Sequence, residues 1–166
     1  MKAFKNKIQQ LVTIDLRALV AFRIGLGLLI ICDLYNRFLY LSDHYTDWGL
    51  LPRGALLEKF SNINFISFHL IGGSDWVIAS LFMLQLLFAI CLILGFQTKL
   101  ASILSWLMLV SLQNRNPMLL QSGDVLFRLL AFGAMFLPLG HAYSIDRLRA
   151  KSSQTLAEIK SVGSAY

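Results

Sequence analysis

Charge is scarce in this chain. Asp, Glu, Lys and Arg together make up 14% of its 166 residues, and the acids number nine against fifteen Lys and Arg. Hydrophobic residues reach 57% and the mean hydropathy is +0.64. A soluble domain of this length presents about half its residues to water, so it cannot hide that much apolar surface. Cysteine is also rare. Cys32 and Cys91 each sit in an apolar run without zinc-type or redox spacing, so we expect packing residues that neither bridge nor bind metal. His44, His69 and His141 are scattered, and no metal site is expected from them. There is no nucleophile elbow, no P-loop and no HExxH. The pI is about 9.6, yet the cations form no stripe interleaved with aromatics, so nucleic acid is not expected as a partner.

What is present is long apolar runs with cations at their ends, the pattern of an integral membrane protein. The chain reads as all-α, a bundle of four transmembrane helices. The expected spans are Ala18 to Leu41, Trp76 to Gly95, Leu100 to Gln113 (continuing as helix through Asn116), and Asp124 to Gly140. The first exceeds 20 residues, enough to cross about 30 Å of hydrocarbon and too long for a cleavable signal core. Pro138 kinks or ends the fourth. Residues 1–17 read as a basic amphipathic lead-in, 18–140 as the membrane domain, and 141–166 as a polar tail in which Ser144 caps a short helix.

Between the first two spans, Ser42 to Asp75 form a long loop, and loops of that length are usually functional. "HYTDWGLLPR" reads as a turn. "GALLEKF" and "INFISFHLIGG" read as short interfacial helices. Trp48, Trp76, Tyr40 and Tyr45 fit an interfacial aromatic belt. Lys2, Lys5, Lys7, Arg17, Lys99, Arg147, Arg149, Lys151 and Lys160 fall on one side of this topology, and Arg37, Arg53, Lys59 and Arg115 on the other. The positive-inside rule then places both termini in the cytoplasm of a multi-pass protein, expected in a bacterial inner membrane.

The charges within or beside the spans are the candidate site. Such a residue at mid-membrane costs about 2.5–3.5 kcal/mol, whereas each Leu, Ile, Phe or Val contributes only about 0.3–0.6. Asp33 and Arg37 stand four apart near the outer end of the first span, and Asp124 and Arg128 repeat the arrangement in the fourth. Asn114, Arg115 and Asn116 arrive at that level from the third. Two readings stay open: ion pairs that fix helix register, with Asp33 facing Arg128 and Arg37 facing Asp124, or a recessed pocket for an anionic or polar ligand. At the inner end, Arg23 has Asp146 as its expected partner.

Five segments in order, "FRIGLGLLIICDLYNRF", "HYTDWGLLPR", "LGFQTKLASIL", "SLQNRNPMLLQSGDVLFRLLAF" and "LPLGHAYSID", resemble the amino-terminal half of the HTTM domain. This is the horizontally transferred transmembrane family, related to vitamin K-dependent gamma-carboxylase. The likeness covers Leu16 to Asp146, with Ser122 standing where the family pattern has a glycine. The carboxylase relatives use a lysine base, carried on a further hydrophobic segment after the equivalent of "YSID", to deprotonate reduced vitamin K. The lysines here, Lys2, Lys5, Lys7, Lys59, Lys99, Lys151 and Lys160, all fall outside the spans, where nothing desolvates them. We therefore expect no catalytic residue, no cofactor and no turnover from this chain alone. What the resemblance carries over is the outer cluster of Asp33, Arg37, Arg115, Asn116, Asp124 and Arg128.

Three functions follow. The first is a non-catalytic membrane module that binds lipid, a quinone-like molecule or a partner. The second is one half of a split carboxylase-like enzyme, completed by another membrane protein. The third is a small quinone-linked oxidoreductase subunit, which fits least because the spans hold no redox cysteines or haem-type histidine pairs.

Overall fold

A computed structural model describes residues 15–59, 67–141 and 143–151 of the chain. Among these residues every regular element is helical. Helix α1 spans Leu16–Phe38, α2 Leu41–Tyr45, α3 Arg53–Lys59, α4 Asp75–Leu94, α5 Thr98–Arg115 and α6 Ser122–Ala134. Single 3-10 turns occupy Phe68–Leu70 and Pro117–Leu119, and residues 145–151 form a further helix, α7. Most of the lead-in and of the tail lies outside the described residues.

Local chemistry sets the boundaries. Asp15 caps α1 by accepting the Arg17 N–H at 2.8 Å. Gly95 ends α4 in the left-handed region (φ +69°), where its N–H and that of Phe96 return to the carbonyls of Leu92 and Cys91. Only glycine fits there. A Cβ would stand 2.4 Å from Ser144 Cβ and 2.6 Å from Arg23 Nη1. Pro117 disfavours helical backbone at the residue before it, and α5 stops at Arg115. Gln121 and Asp124 make a capping box at the start of α6. Ser144 caps α7 as the sequence suggests, accepting the Arg147 N–H at 3.1 Å.

Helices α1, α4, α5 and α6 pack in that order, each against the next. One core cluster lies toward the α4–α5 turn, around Leu26, Ile30, Ala89, Leu92, Leu109 and Ala131. A second lies toward the long loop, around Leu34, Tyr45, Ile78, Phe82 and Leu112. Leu28, Leu29, Met83, Leu87 and Leu94 point away from both and stay exposed.

Among the described residues two helices, α1 and α4, are long and apolar enough to cross a membrane. Their 23 and 20 residues rise about 35 and 30 Å. The other two expected spans differ. Helix α5 is long enough but turns Thr98, Ser102, Ser105, Ser111, Gln113 and Arg115 inward, which lowers its apolarity. Helix α6 has 13 residues and rises about 20 Å, because the chain leaves it at Ala134, four residues before Pro138. In the loop, α3 covers the described residues of the expected "GALLEKF" helix and α2 is an addition; of the second expected interfacial helix, residues 63–66 lie outside the described residues and the rest holds only the 3-10 turn Phe68–Leu70. Trp48, Trp76 and Tyr40 are exposed, whereas Tyr45 is fully buried and leaves the aromatic belt. Cys32 is exposed rather than packed inward, and both cysteines are free.

Candidate functional site

The polar residues at the loop end resolve into two neighbouring networks. The first centres on Arg37. Its Nε bonds both Asp33 oxygens at 2.9 Å, its Nη1 donates to Tyr45 Oη at 2.9 Å, and its Nη2 donates to Asp124 Oδ1 at 2.6 Å. Asp33 is one turn back on α1, so the helix itself aims that carboxylate. Asp124 comes from α6, 87 positions away, and so ties α6 to α1. Its other oxygen accepts the Gln121 N–H at 2.9 Å, so one carboxylate both caps α6 and binds Arg37. Beside this triad lies an open cavity of about 280 Å³, walled by Asp33, Asn36, Arg37, Tyr40, His44 and Asp124.

Arg128 does not reach Asp33. Its Nε donates to Gln113 Oε1 at 2.8 Å, and Gln113 Nε2 in turn donates to the Asp124 carbonyl at 3.2 Å. The expected Arg37–Asp124 contact is present. The expected Asp33–Arg128 contact is not, because Asp33 is already held within its own helix by Arg37.

The second network joins the end of α5 to the long loop. Arg115 is completely buried and donates to the carbonyls of Leu51 and Thr46 at 2.9 and 3.2 Å, with Asp47 at 3.7 Å. Asn116 Nδ2 donates to the His44 carbonyl at 2.9 Å, and Asn114 is half-buried on the preceding turn. Arg53 grips Asp47 through Nε at 2.8 Å and the Leu70 carbonyl through Nη1 at 3.1 Å. Hydrogen bonds from Arg53 hold the Asp47 carboxyl below its usual range. His69 is fully buried with Nδ1 2.7 Å from Ser111 Oγ. Burial, and then the nearby Arg115 cation, push its pKa down to about 4.

At the opposite end, Arg23 is buried and donates to the carbonyls of Leu139 and Tyr143 at 2.9 and 2.7 Å. Asp146 serves the start of α5 instead. Its Oδ1 accepts the Gln97 N–H at 2.7 Å, and its Oδ2 accepts Thr98 N–H and Oγ1–H at 2.7 and 2.6 Å. Burial alone would raise its pKa, but the bonds from Thr98 and Gln97 outweigh it and hold the carboxyl low. In place of the expected Arg23–Asp146 pair there are two separate clamps, Arg23 on the 139–143 stretch and Asp146 on the start of α5.

Chemically, the cavity faces two carboxylates and one guanidinium. Arg115 and Arg128, counted with Arg37 as anion-binding groups, are committed to carbonyls and to Gln113. The arrangement favours a ligand that donates hydrogen bonds or carries positive charge over an anion. Reasoning from the sequence missed Tyr45, Gln113, Gln121, Asp47, Arg53, His69 and Ser111. Only Asp47 and Arg53 carry a visible signal, as opposite charges flanking the breakers Gly49 and Pro52. Comparison with protein-family models, curated proteins and solved structures finds no match to this chain.

Proposed function

We propose that this chain is a non-catalytic, HTTM-like membrane module of four helical spans, which binds a small hydrogen-bond-donating headgroup at the end bearing the long loop. The observation that carries the reading is the Arg37 guanidinium shared between Asp33 and Asp124, across two helices, beside a cavity of about 280 Å³. Charged groups at the level of apolar helices are costly unless paired, and those beside a cavity mark a ligand site by default. Helix α5, lined with serines, supports a third span, because small residues let helices approach closely within a membrane. Helix α6 is shorter than the hydrocarbon is thick, and a short segment is accommodated by local thinning. The cations at the α4–α5 end support cytoplasmic termini.

A quinol fits this chemistry, because its two hydroxyls can donate to carboxylates, whereas the corresponding quinone only accepts. The test is calorimetric titration of the protein in micelles with a short-chain hydroquinone and its quinone. Saturable hydroquinone binding is expected, about 10-fold tighter than the quinone and about 10-fold weaker in Asp33→Asn, which keeps the Arg37–Asp124 pair. Equal affinity for the two redox forms, or no saturation, overturns the reading.

A second reading, that a separate membrane protein completes the bundle as in a split enzyme, draws on α6. Its Val125, Leu126 and Leu129 are all more than half exposed. A photocrosslinker at position 129 in native membranes decides: adducts with another protein favour it, and adducts with lipid alone remove it.

A further inference from the structure

The α4–α5 end holds a second cavity, of about 550 Å³, that the headgroup site does not use. Its walls come from the first turns of α5, the 135–141 turn and α7. Met135, Phe136 and Leu137 give it an apolar side, and Lys99 and Arg147 give it two cations. Asp146, the acid on its wall, is turned to the amino end of α5, where it accepts bonds from Gln97 and Thr98 and the helix dipole offsets part of its charge. Arg147 spends one nitrogen on the His141 carbonyl, and the Lys99 side chain is in no ion pair among the described residues. Arg149 stacks over Phe96 at 4.6 Å and adds a third cation on the same side of the molecule. Net positive charge therefore adjoins apolar side chains in one open recess.

We propose that this recess binds the phosphate headgroup of an anionic phospholipid, with Lys99 and Arg147 on the phosphate and the start of an acyl chain along Met135, Phe136 and Leu137. The proposal rests on the membrane reading given above. A cavity of this size exceeds what a phosphate ion fills, and a free ion gains nothing from the apolar wall. An amphiphile uses both. Basic groups just inside a span meet the anionic leaflet surface, where each Lys or Arg strengthens attachment about 5-fold.

The test uses the full chain in uncharged detergent micelles, titrated by calorimetry with dioctanoyl phosphatidylglycerol, dioctanoyl phosphatidylcholine and inorganic phosphate in separate runs. Phosphatidylglycerol is expected to saturate, with the other two at least about 10-fold weaker. The double variant Lys99→Gln with Arg147→Gln should weaken phosphatidylglycerol about 30-fold while leaving the helical circular dichroism unchanged, because both side chains are exposed. Phosphatidylcholine binding as tightly overturns the role of charge. Inorganic phosphate binding as tightly overturns the lipid as ligand. An unchanged double variant overturns the site. Alkaline carbonate extraction of membranes separates this from the reading beneath it. A chain released by carbonate sinks the membrane reading itself, whereas one that stays in the membrane yet shows no preference for phosphatidylglycerol sinks only this site.

Discussion

His69 lies between Ser111 and Phe82 with no exposed surface, and its Nε2 has no partner among the described residues. Protonating that ring would place a second cation beside Arg115, so the folded protein keeps it neutral. Its pKa falls from 6.5 to about 4. Above pH 6.5 the ring is neutral in both folded and unfolded chains, and stability is at its full value. As pH falls from 6.5 toward 4, the unfolded chain takes up the proton and the folded one resists, so stability declines, by about 3 kcal/mol at most. Denaturant midpoints in micelles at pH 7.5 and 4.5 should show this loss, and His69→Gln should remove most of the difference. A wild-type midpoint independent of pH would contradict it. The other buried cations at the helix ends follow a different logic. Arg23 and Arg115 are met chiefly by backbone carbonyls of loops, which occupy the outer nitrogens of each guanidinium without neutralising it, and Arg115 also has the Asp47 carboxylate at 3.7 Å.

Between elements, Arg37 and Asp124 make the ion pair that joins the first and last long helices. The side chains are 13% and 12% exposed, so water screens them little. The two single substitutions differ in kind. Asp124→Asn leaves Arg37 with Asp33, whereas Arg37→Gln leaves two carboxylates that had shared one cation. We expect Arg37→Gln to be the more damaging of the two. A double-mutant cycle between the positions should give a coupling of about 0.5–3 kcal/mol, read from thermal unfolding in micelles. Additive losses would mean that α6 is held by its apolar face alone. That face is thin, since only Ala131 and Ala134 of α6 are fully buried, which is why the charges matter to its placement.

For the whole molecule, the bundle has one end built of tight turns and basic residues and another built of a long loop and the polar networks. In the proposed topology the loop end faces outward. In a background lacking Cys32 and Cys91, an impermeant thiol reagent added outside should label Trp48→Cys and Met118→Cys but not Leu148→Cys. All three positions are well exposed, at 89%, 67% and 68%. Labelling of position 148 from outside would sink the topology, and with it the cytoplasmic placement of the recess around Lys99 and Arg147.

The sequence by itself determined the helical class, the two strongly apolar helices and most of the breaks. These depend on neighbours along the chain: runs of Leu, Ile and Phe, glycine at 95, proline at 117, Ser144 as a cap. It also placed Asp33 and Arg37 on one face, because four residues is one helical turn. What it left open were contacts between segments distant in sequence. Nothing local indicates that Arg128 turns to Gln113 rather than Asp33, that Asp146 caps α5 rather than pairing with Arg23, or that Arg115 is spent on carbonyls of the long loop. Those outcomes depend on how α1, α5 and α6 rotate against one another, and rotation is set by the packing of all their faces together. The tertiary structure therefore decided that the cluster is two networks, and that the cavity beside them is acidic on balance although the chain as a whole is basic.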